Sequence, residues 1–299
     1  MKLCRGPVCV KRTTRNWATL CLMLAVTFIL YHDPYIILWW HELPFQRSKT
    51  AEVSLDMAAD SIDDMYHGCQ SEVADMIEQF GIFEWHINPN LSIAWALSEE
   101  RAAKPVDKDL REEHATVLYL HTNVKFKQIQ QDFSQAAKWG RSKYSTVGFQ
   151  YHYLYFHLTE ATQILRQNQN SCRTTYLRTR TRLSQNVVNQ EMRFGIFTLT
   201  ASSKYSFVFS GNVSCFEIYT CFGAEITHYS SIKQDGQVLI PPYEVFRITD
   251  VLTKSQWCSV VYKLQSTKTP RSDLNCELDP NKLKTYTGPR CRRPSSGSA

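Results

Sequence analysis

Apolar positions along the chain fall into three regimes. Near the amino end lie two unbroken runs, WATLCLMLAVTFILY at 17–31 and YIILWW at 35–40. From about residue 61 to 165 the spacing is helical. Met65, Val73, Met76, Ile77 and Phe80 predict a helix within 61–83, with acidic residues between them. Residues 99–123 start charged and run into HATVLYLHT, KFKQIQQDFSQAAKW at 125–139 has helical spacing, and FQYHYLYFHLTEATQIL at 149–165 is helical by length. The aromatic stripe in that last segment reads as core. After Cys172 the runs become short, alternating or β-branched, at 173–183, 193–200, 205–209, 215–221, 225–229, 237–248 and 258–264. Helices first and strands afterwards predict an α+β fold. No period of 20–50 residues marks a repeat array. Residues 41–55 read as a linker and 281–299 as a polar tail, so the organisation expected is 1–50 leader, 51–280 folded domain and 281–299 tail.

One strand entrance stands out. In SIKQDGQVLIPPYEVFRI, residues 231–248, Val238 to Ile240 are apolar and Pro241-Pro242 stop the run. The polar residues Asp235, Gly236 and Gln237 stand directly before it. Gly236 by itself makes a plain turn easy there.

Composition adds compartment rather than fold. At 43% hydrophobic and 21% charged residues, the chain is an ordinary globular protein with a substantial core. The net charge is +6, of which Lys2, Arg5, Lys11, Arg12 and Arg15 supply +5 within residues 1–16. The remaining body is close to neutral, which argues against a nucleic-acid surface. A basic start before the apolar run at 17–31 is a secretory address. That run is short against the roughly 20 residues of a membrane span, and no clean cleavage site follows, so signal peptide and signal-anchor both stay open. In either case the positive-inside bias sends the body to the lumen or exterior. It is then secreted or type II anchored, touching the membrane only through the leader.

Of ten cysteines, Cys4, Cys9 and Cys21 lie in or before the leader, and seven follow. None has CxxC spacing or joins a HxxxH pattern, so no metal site is expected. Disulfides are the reading, with at least one cysteine left over. Asn90 (NLS) and Asn212 (NVS) open glycosylation sequons. The SSGSA end has no apolar tail, so no cleaved lipid-anchor signal is read.

Seven blocks now carry a resemblance. LDMAADSIDDMYHGC (55–69), HATVLYLHT (114–122), FQYHYLYFHLT (149–159), RFGIFT (193–198), YTCFGAEI (219–226), VLIPPYEVF (238–246) and the NC pair ending at Cys276 occur in one order over about 53–280. In this the chain resembles the vertebrate ecto-mono-ADP-ribosyltransferases, which use NAD and protein arginine. The resemblance implies a helical amino-terminal part, two facing, mostly antiparallel β-sheets, and an NAD cleft between them. It also implies the pairs Cys69–Cys276 and Cys172–Cys221, leaving Cys215, Cys258 and Cys291 unassigned.

Breaking the nicotinamide–ribose bond passes through an oxocarbenium-like sugar that a carboxylate stabilises. The family supplies that carboxylate from a Glu-x-Glu turn before VLIP, an arginine fork for the pyrophosphate, and a serine. Here Gln237 stands at the catalytic glutamate and Asp235 at the first acidic position. An ungapped match puts Leu177 at the arginine, with Arg178 one residue late, hence on the opposite face unless a bulge or shift restores it. The serine positions hold Leu199 and Ala201, with Thr198, Thr200 and Ser202 beside them. His121 stands where the family has a tyrosine near the nicotinamide pocket.

Losing one preorganised electrostatic partner costs roughly 10²–10³ in rate. Two readings follow. In one, the chain retains weakened transfer or NAD hydrolysis, with Arg178 on the pyrophosphate, Gln237 on the ribose and Asp235 toward an arginine-bearing protein. In the other, it is a catalytically silent binding module for a protein partner. A structural protein unrelated to NAD explains the cysteines but not the seven ordered blocks.

Overall fold

The computed structural model describes residues 52–278 apart from Asn170, Phe207, Val208 and Ser210. The leader, the tail and Cys291 lie outside the described residues.

Among the described residues five α-helices come first: α1 (Gln70–Ile87), α2 (Pro89–Glu99), α3 (Glu112–Thr122), α4 (Lys127–Lys138) and α5 (His152–Asn168). The expected helix at 61–83 begins later, because residues 56–69 are spent on tight turns with positive φ at Ala58, Tyr66 and Gly68. Helix α2 had no sequence expectation. It opens with Pro89 at its first position, and Asn88 caps it by accepting the Leu91 N–H at 3.1 Å. In α4, Ile129, Phe133 and Ala137 recur every fourth residue and are buried, which is the amphipathic pattern the segment predicted.

Helix α5 is the central rod. Tyr153, Leu154, Tyr155, Phe156 and Leu158 are all buried, so its aromatic stripe is core. Burying a helix start leaves N–H groups that need acceptors. Glu84 of α1, itself 1% exposed, supplies them: its carboxylate accepts the backbone N–H of His152 at 2.6 Å and of Tyr153 at 3.3 Å.

Eight strands follow: β1 (Arg173–Thr179), β2 (Glu191–Met192), β3 (Thr198–Ala201), β4 (Ser214–Thr220), β5 (Ala224–Glu225), β6 (Gln237–Ile240), β7 (Phe246–Ser255) and β8 (Cys258–Ser266). The long run at 237–248 divides at Pro241-Pro242, as the missing N–H groups require. The α+β class is as expected. The two sheets implied by the resemblance are hydrogen-bonded into one, in the order β2-β7-β8-β4-β1-β3-β6-β5. Its halves join only at β1–β3, through the single pair Tyr176–Ala201. All pairings are antiparallel except β4–β8.

Two apolar cores result. The larger holds the helices and one face of β3–β6, and a second lies between β4, β7, β8 and residues 183–192. Disulfides join Cys69 to Cys276, Cys172 to Cys221, and Cys215 to Cys258. The third pair uses two cysteines that sequence reasoning left unassigned. It staples β4 to the start of β8 beneath Trp257.

Replacing Glu84 by Ala strips the start of α5 of its acceptors inside the core. The expected loss is about 2–4 kcal/mol, read as a lower midpoint in chemical denaturation. An unchanged midpoint would show that water reaches those N–H groups.

Candidate functional site

Sheet register decides which side chains share the site. Tyr176 pairs with Ala201 and Ala201 with Gln237, and directly paired residues project from one face. Leu199, paired with Leu239, lies on that face two residues along β3. Thr175 and Thr200 occupy the other face, where Thr175 donates to Thr200 Oγ1 and Thr200 to the Val238 carbonyl, both at 2.8 Å. The hydroxyls of β3 are therefore buried away from the face that bears Gln237.

Arg178 sits two residues from Tyr176 on β1, so it projects from the same face as Ala201 and Gln237, and Leu177 from the opposite one. The one-residue displacement seen in the ungapped match thus does not turn Arg178 away. Its Nη2 donates to the Phe209 carbonyl at 2.7 Å, while its buried Nε has no hydrogen-bond partner among the described residues.

Along this face runs a cleft of about 740 Å³ between the end of α3, helix α4 and strand β3, lined by His121, Lys127, Gln130, Phe197, Leu199 and Ile232 among others. Gln130 fixes the wall by donating to the carbonyls of Leu120 and Asn123 at 3.0 and 2.7 Å. His121 lies edge-on to Phe133 and Phe197, with ring centroids 6.1 and 6.2 Å away. Burial among these rings lowers its pKa to about 4, so it is neutral at physiological pH. Among the described residues lining the cleft there is no carboxylate.

Gln237 is fully buried, and every polar atom of its amide is engaged. Nε2 donates to the carbonyls of Ile232 and Gln234 at 2.9 and 2.8 Å, and Oε1 accepts the Ser230 hydroxyl at 2.7 Å. Its side chain thus fastens the preceding loop to β6. The turn is equally tight: Ser202 N–H donates to the Gly236 carbonyl at 2.7 Å. A Cβ on Gly236, whose φ is +73°, would lie 1.8 Å from Ser202 Oγ. Asp235 is exposed on this turn.

A second cluster brings His114, His157 and Glu160 within 4.8 Å of one another. Two of its three members, His114 and Glu160, are already committed, while both ring nitrogens of buried His157 have no hydrogen-bond partner among the described residues. His114 Nδ1 accepts the Arg111 backbone N–H at 3.1 Å, so its Nε2 carries the proton and faces Glu160 at 3.2 Å. The Arg111 guanidinium sits 2.7 Å from the same carboxylate oxygen. This is a helix cap with an ion pair.

Residues 55–271 match the family described as NAD:arginine ADP-ribosyltransferase. The chain belongs to that family. Among its relatives is the T-cell ecto-ADP-ribosyltransferase 2 of Rattus norvegicus, 28% identical over 253 residues, covering 81% of this chain and 86% of that one. The NAD(P)(+)–arginine ADP-ribosyltransferase 2 of Gallus gallus is 30% identical over 235 residues, covering 76% and 73%. The crystal structure of the eukaryotic mono-ADP-ribosyltransferase ART2.2 superposes with a TM-score of 0.61 at 27% identity, covering 75% of this chain and 98% of that one. Glutamate-substituted variants of that protein are solved with NADH and with NAD.

Within this family the chain keeps the frame, and Ala201 and Gln237 share one face of its sheet. The lock on Gln237 is the feature that sequence reasoning missed. Its only trace was the density of polar residues between Thr227 and Asp235.

Two outcomes test the site. Gln237→Glu turns an amide that gives two N–H groups into a carboxylate facing two carbonyl oxygens. It should destabilise by about 1–3 kcal/mol at neutral pH, by less in acid where the carboxyl protonates, and leave nicotinamide release no faster than in the native chain. A stable variant with raised turnover would show that the loop accepts an acid. For His121, the folded pKa lies below the unfolded value, so stability is lost as pH falls from about 6.5 toward 4. His121→Phe removes that contribution, and acid titration should place its unfolding midpoint at lower pH than the native chain's.

Proposed function

We propose that this chain binds NAD in the cleft beside α3, α4 and β3 and transfers ADP-ribose to protein arginine only weakly. The observation that carries the reading is a cleft whose described lining holds no carboxylate, with the Gln237 amide buried and locked in its own loop rather than part of that lining. An amide can hydrogen-bond but cannot offset positive charge on the sugar. With the β3 hydroxyls on the other face, the barrier rises by at least the roughly 3–4 kcal/mol that one preorganised partner supplies.

Support for NAD as co-substrate comes from the ART2.2 complexes with NAD and NADH. In this reading Arg178, with Nε unpaired, meets the pyrophosphate, His121 borders the nicotinamide end, Gln237 supports the ribose side through its loop, and exposed Asp235 faces the acceptor. Acceptors are extracellular or lumenal proteins with an accessible arginine. Relatives carry names such as "ecto" and "GPI-linked", which supports placing the body outside the cytosol, secreted or held as a type II protein by its leader. Among the described residues no helix is long and apolar enough to cross a membrane. A second reading, a silent module that meets a protein partner on the same fold, is favoured by the same missing carboxylate.

Calorimetric titration with NAD, run beside nicotinamide release and labelling of an arginine acceptor, separates the two. Saturable NAD binding that weakens at least tenfold in Arg178→Ala, with nicotinamide release 10²-fold or more below an active relative, is the expected result. Binding without any turnover, or no binding, moves the assignment to the silent module.

A further inference from the structure

Helix α2 is apolar on every side. Leu91, Ala94 and Trp95 are buried, yet Ile93 is 59% and Leu97 38% exposed, with Ala96 exposed between them. The adjoining end of α1 adds Ile82, Phe83 and Ile87, at 67%, 42% and 37% exposure. A helix apolar all round is normally covered, and a contiguous exposed patch of this kind marks a surface that something occupies. The side chain that opens this outer face is Asn90. Positions 90, 93 and 97 are three and seven residues apart and share one helix face. Asn90 is exposed and heads the sequon Asn-Leu-Ser, while the cap of α2 is made by its neighbour Asn88.

We propose that Asn90 carries an N-linked oligosaccharide that lies along the outer face of α2 and the end of α1. This rests on the lumenal placement of the body argued above. In attachment, Asn90 Nδ2 forms a bond to the anomeric carbon of the sugar and loses a proton, and the lipid diphosphate that carried the oligosaccharide departs. At 1.5 Å of rise per residue, Leu97 lies only about 10 Å along the axis from Asn90, within reach of a branched oligosaccharide rooted there. Pyranose rings present C–H faces as well as hydroxyl edges, so one face can rest on Ile93, Leu97 and Phe83 while the other meets water. The second sequon, at Asn212, lies beside the β7–β8 turn and Trp257, away from this patch, and serves as the control.

The test uses the full chain made in secretory cells, as native protein, native protein treated with peptide-N-glycosidase, Ser92→Ala and Asn212→Gln. Ser92→Ala keeps Asn90 but abolishes the sequon. Peptide mass spectrometry reads occupancy, and hydroxyl-radical footprinting reads side-chain exposure. The expected result is an occupied Asn90 whose loss, by enzyme or by Ser92→Ala, raises labelling of Phe83, Ile93 and Leu97 about threefold or more. Labelling of Val106, 76% exposed elsewhere, should not change, and Asn212→Gln should leave the patch unaltered. An unmodified Asn90 beside a modified Asn212 overturns the proposal and leaves the lumenal placement standing. Both asparagines bare overturns the proposal, and the lumenal placement is then judged by whether the body is recovered from the secretory lumen or medium. An occupied Asn90 whose removal leaves labelling unchanged shows that the sugar does not cover the patch, and the proposal fails.

Discussion

The fold hangs on two adjacent buried carboxylates, Asp63 and Asp64. Asp63 accepts the Leu274 N–H at 2.9 Å on one oxygen and meets Arg193 Nη1 at 3.2 Å on the other. Asp64 accepts the N–H groups of Tyr66 and Cys276 at 2.7 and 3.1 Å and the Tyr144 hydroxyl at 2.7 Å. The segment 63–64 thus ties together the end of the domain, the helical half and the strand half, and the Cys69–Cys276 disulfide closes the same junction. Burial raises both carboxyl pKa values, Asp64 to about 6, against the hydrogen bonds that oppose it. Acids held this way are expensive to bury unless every lone pair is met, so the surrounding geometry is fixed closely.

Arg193 extends that constraint toward the cleft. Besides Asp63, it donates to the carbonyls of Met57 and Ala58 at 2.8 and 2.9 Å. Gly195 follows with φ +68°, and a Cβ there would stand 2.5 Å from Ala58 Cβ. The chain is thereby aimed so that Phe197 and Leu199 enter the cleft wall. From this rigid base, β3 sets Ala201 beside Gln237 and fixes which face each residue of β1 and β6 presents. Within this rigid frame Gln237 closes three hydrogen bonds inside its own loop, which fixes the entrance of β6.

Much of the fold was legible. Helix α4 follows from periodicity and α5 from its length, and most strands follow from short β-branched runs, although the described residues of 205–209 form no strand. Helix α2 was not, since apolar residues on both faces leave no period to read. The late start of α1 was hidden for another reason. Met65 and Val73 keep helical spacing across residues whose carboxylates and turns are claimed by distant partners.

By itself the sequence determined the class of fold, the family and the two disulfides implied by that resemblance, since each is a matter of residue type and order. Only the tertiary structure decided direction and availability. Register through the single Tyr176–Ala201 pair put Arg178 on the face of Gln237. Packing of the loop 226–236 consumed the Gln237 amide, and the approach of β4 to β8 joined Cys215 to Cys258. These outcomes depend on contacts between residues far apart in the chain, and a strand's two faces are distinguished only by what packs against them.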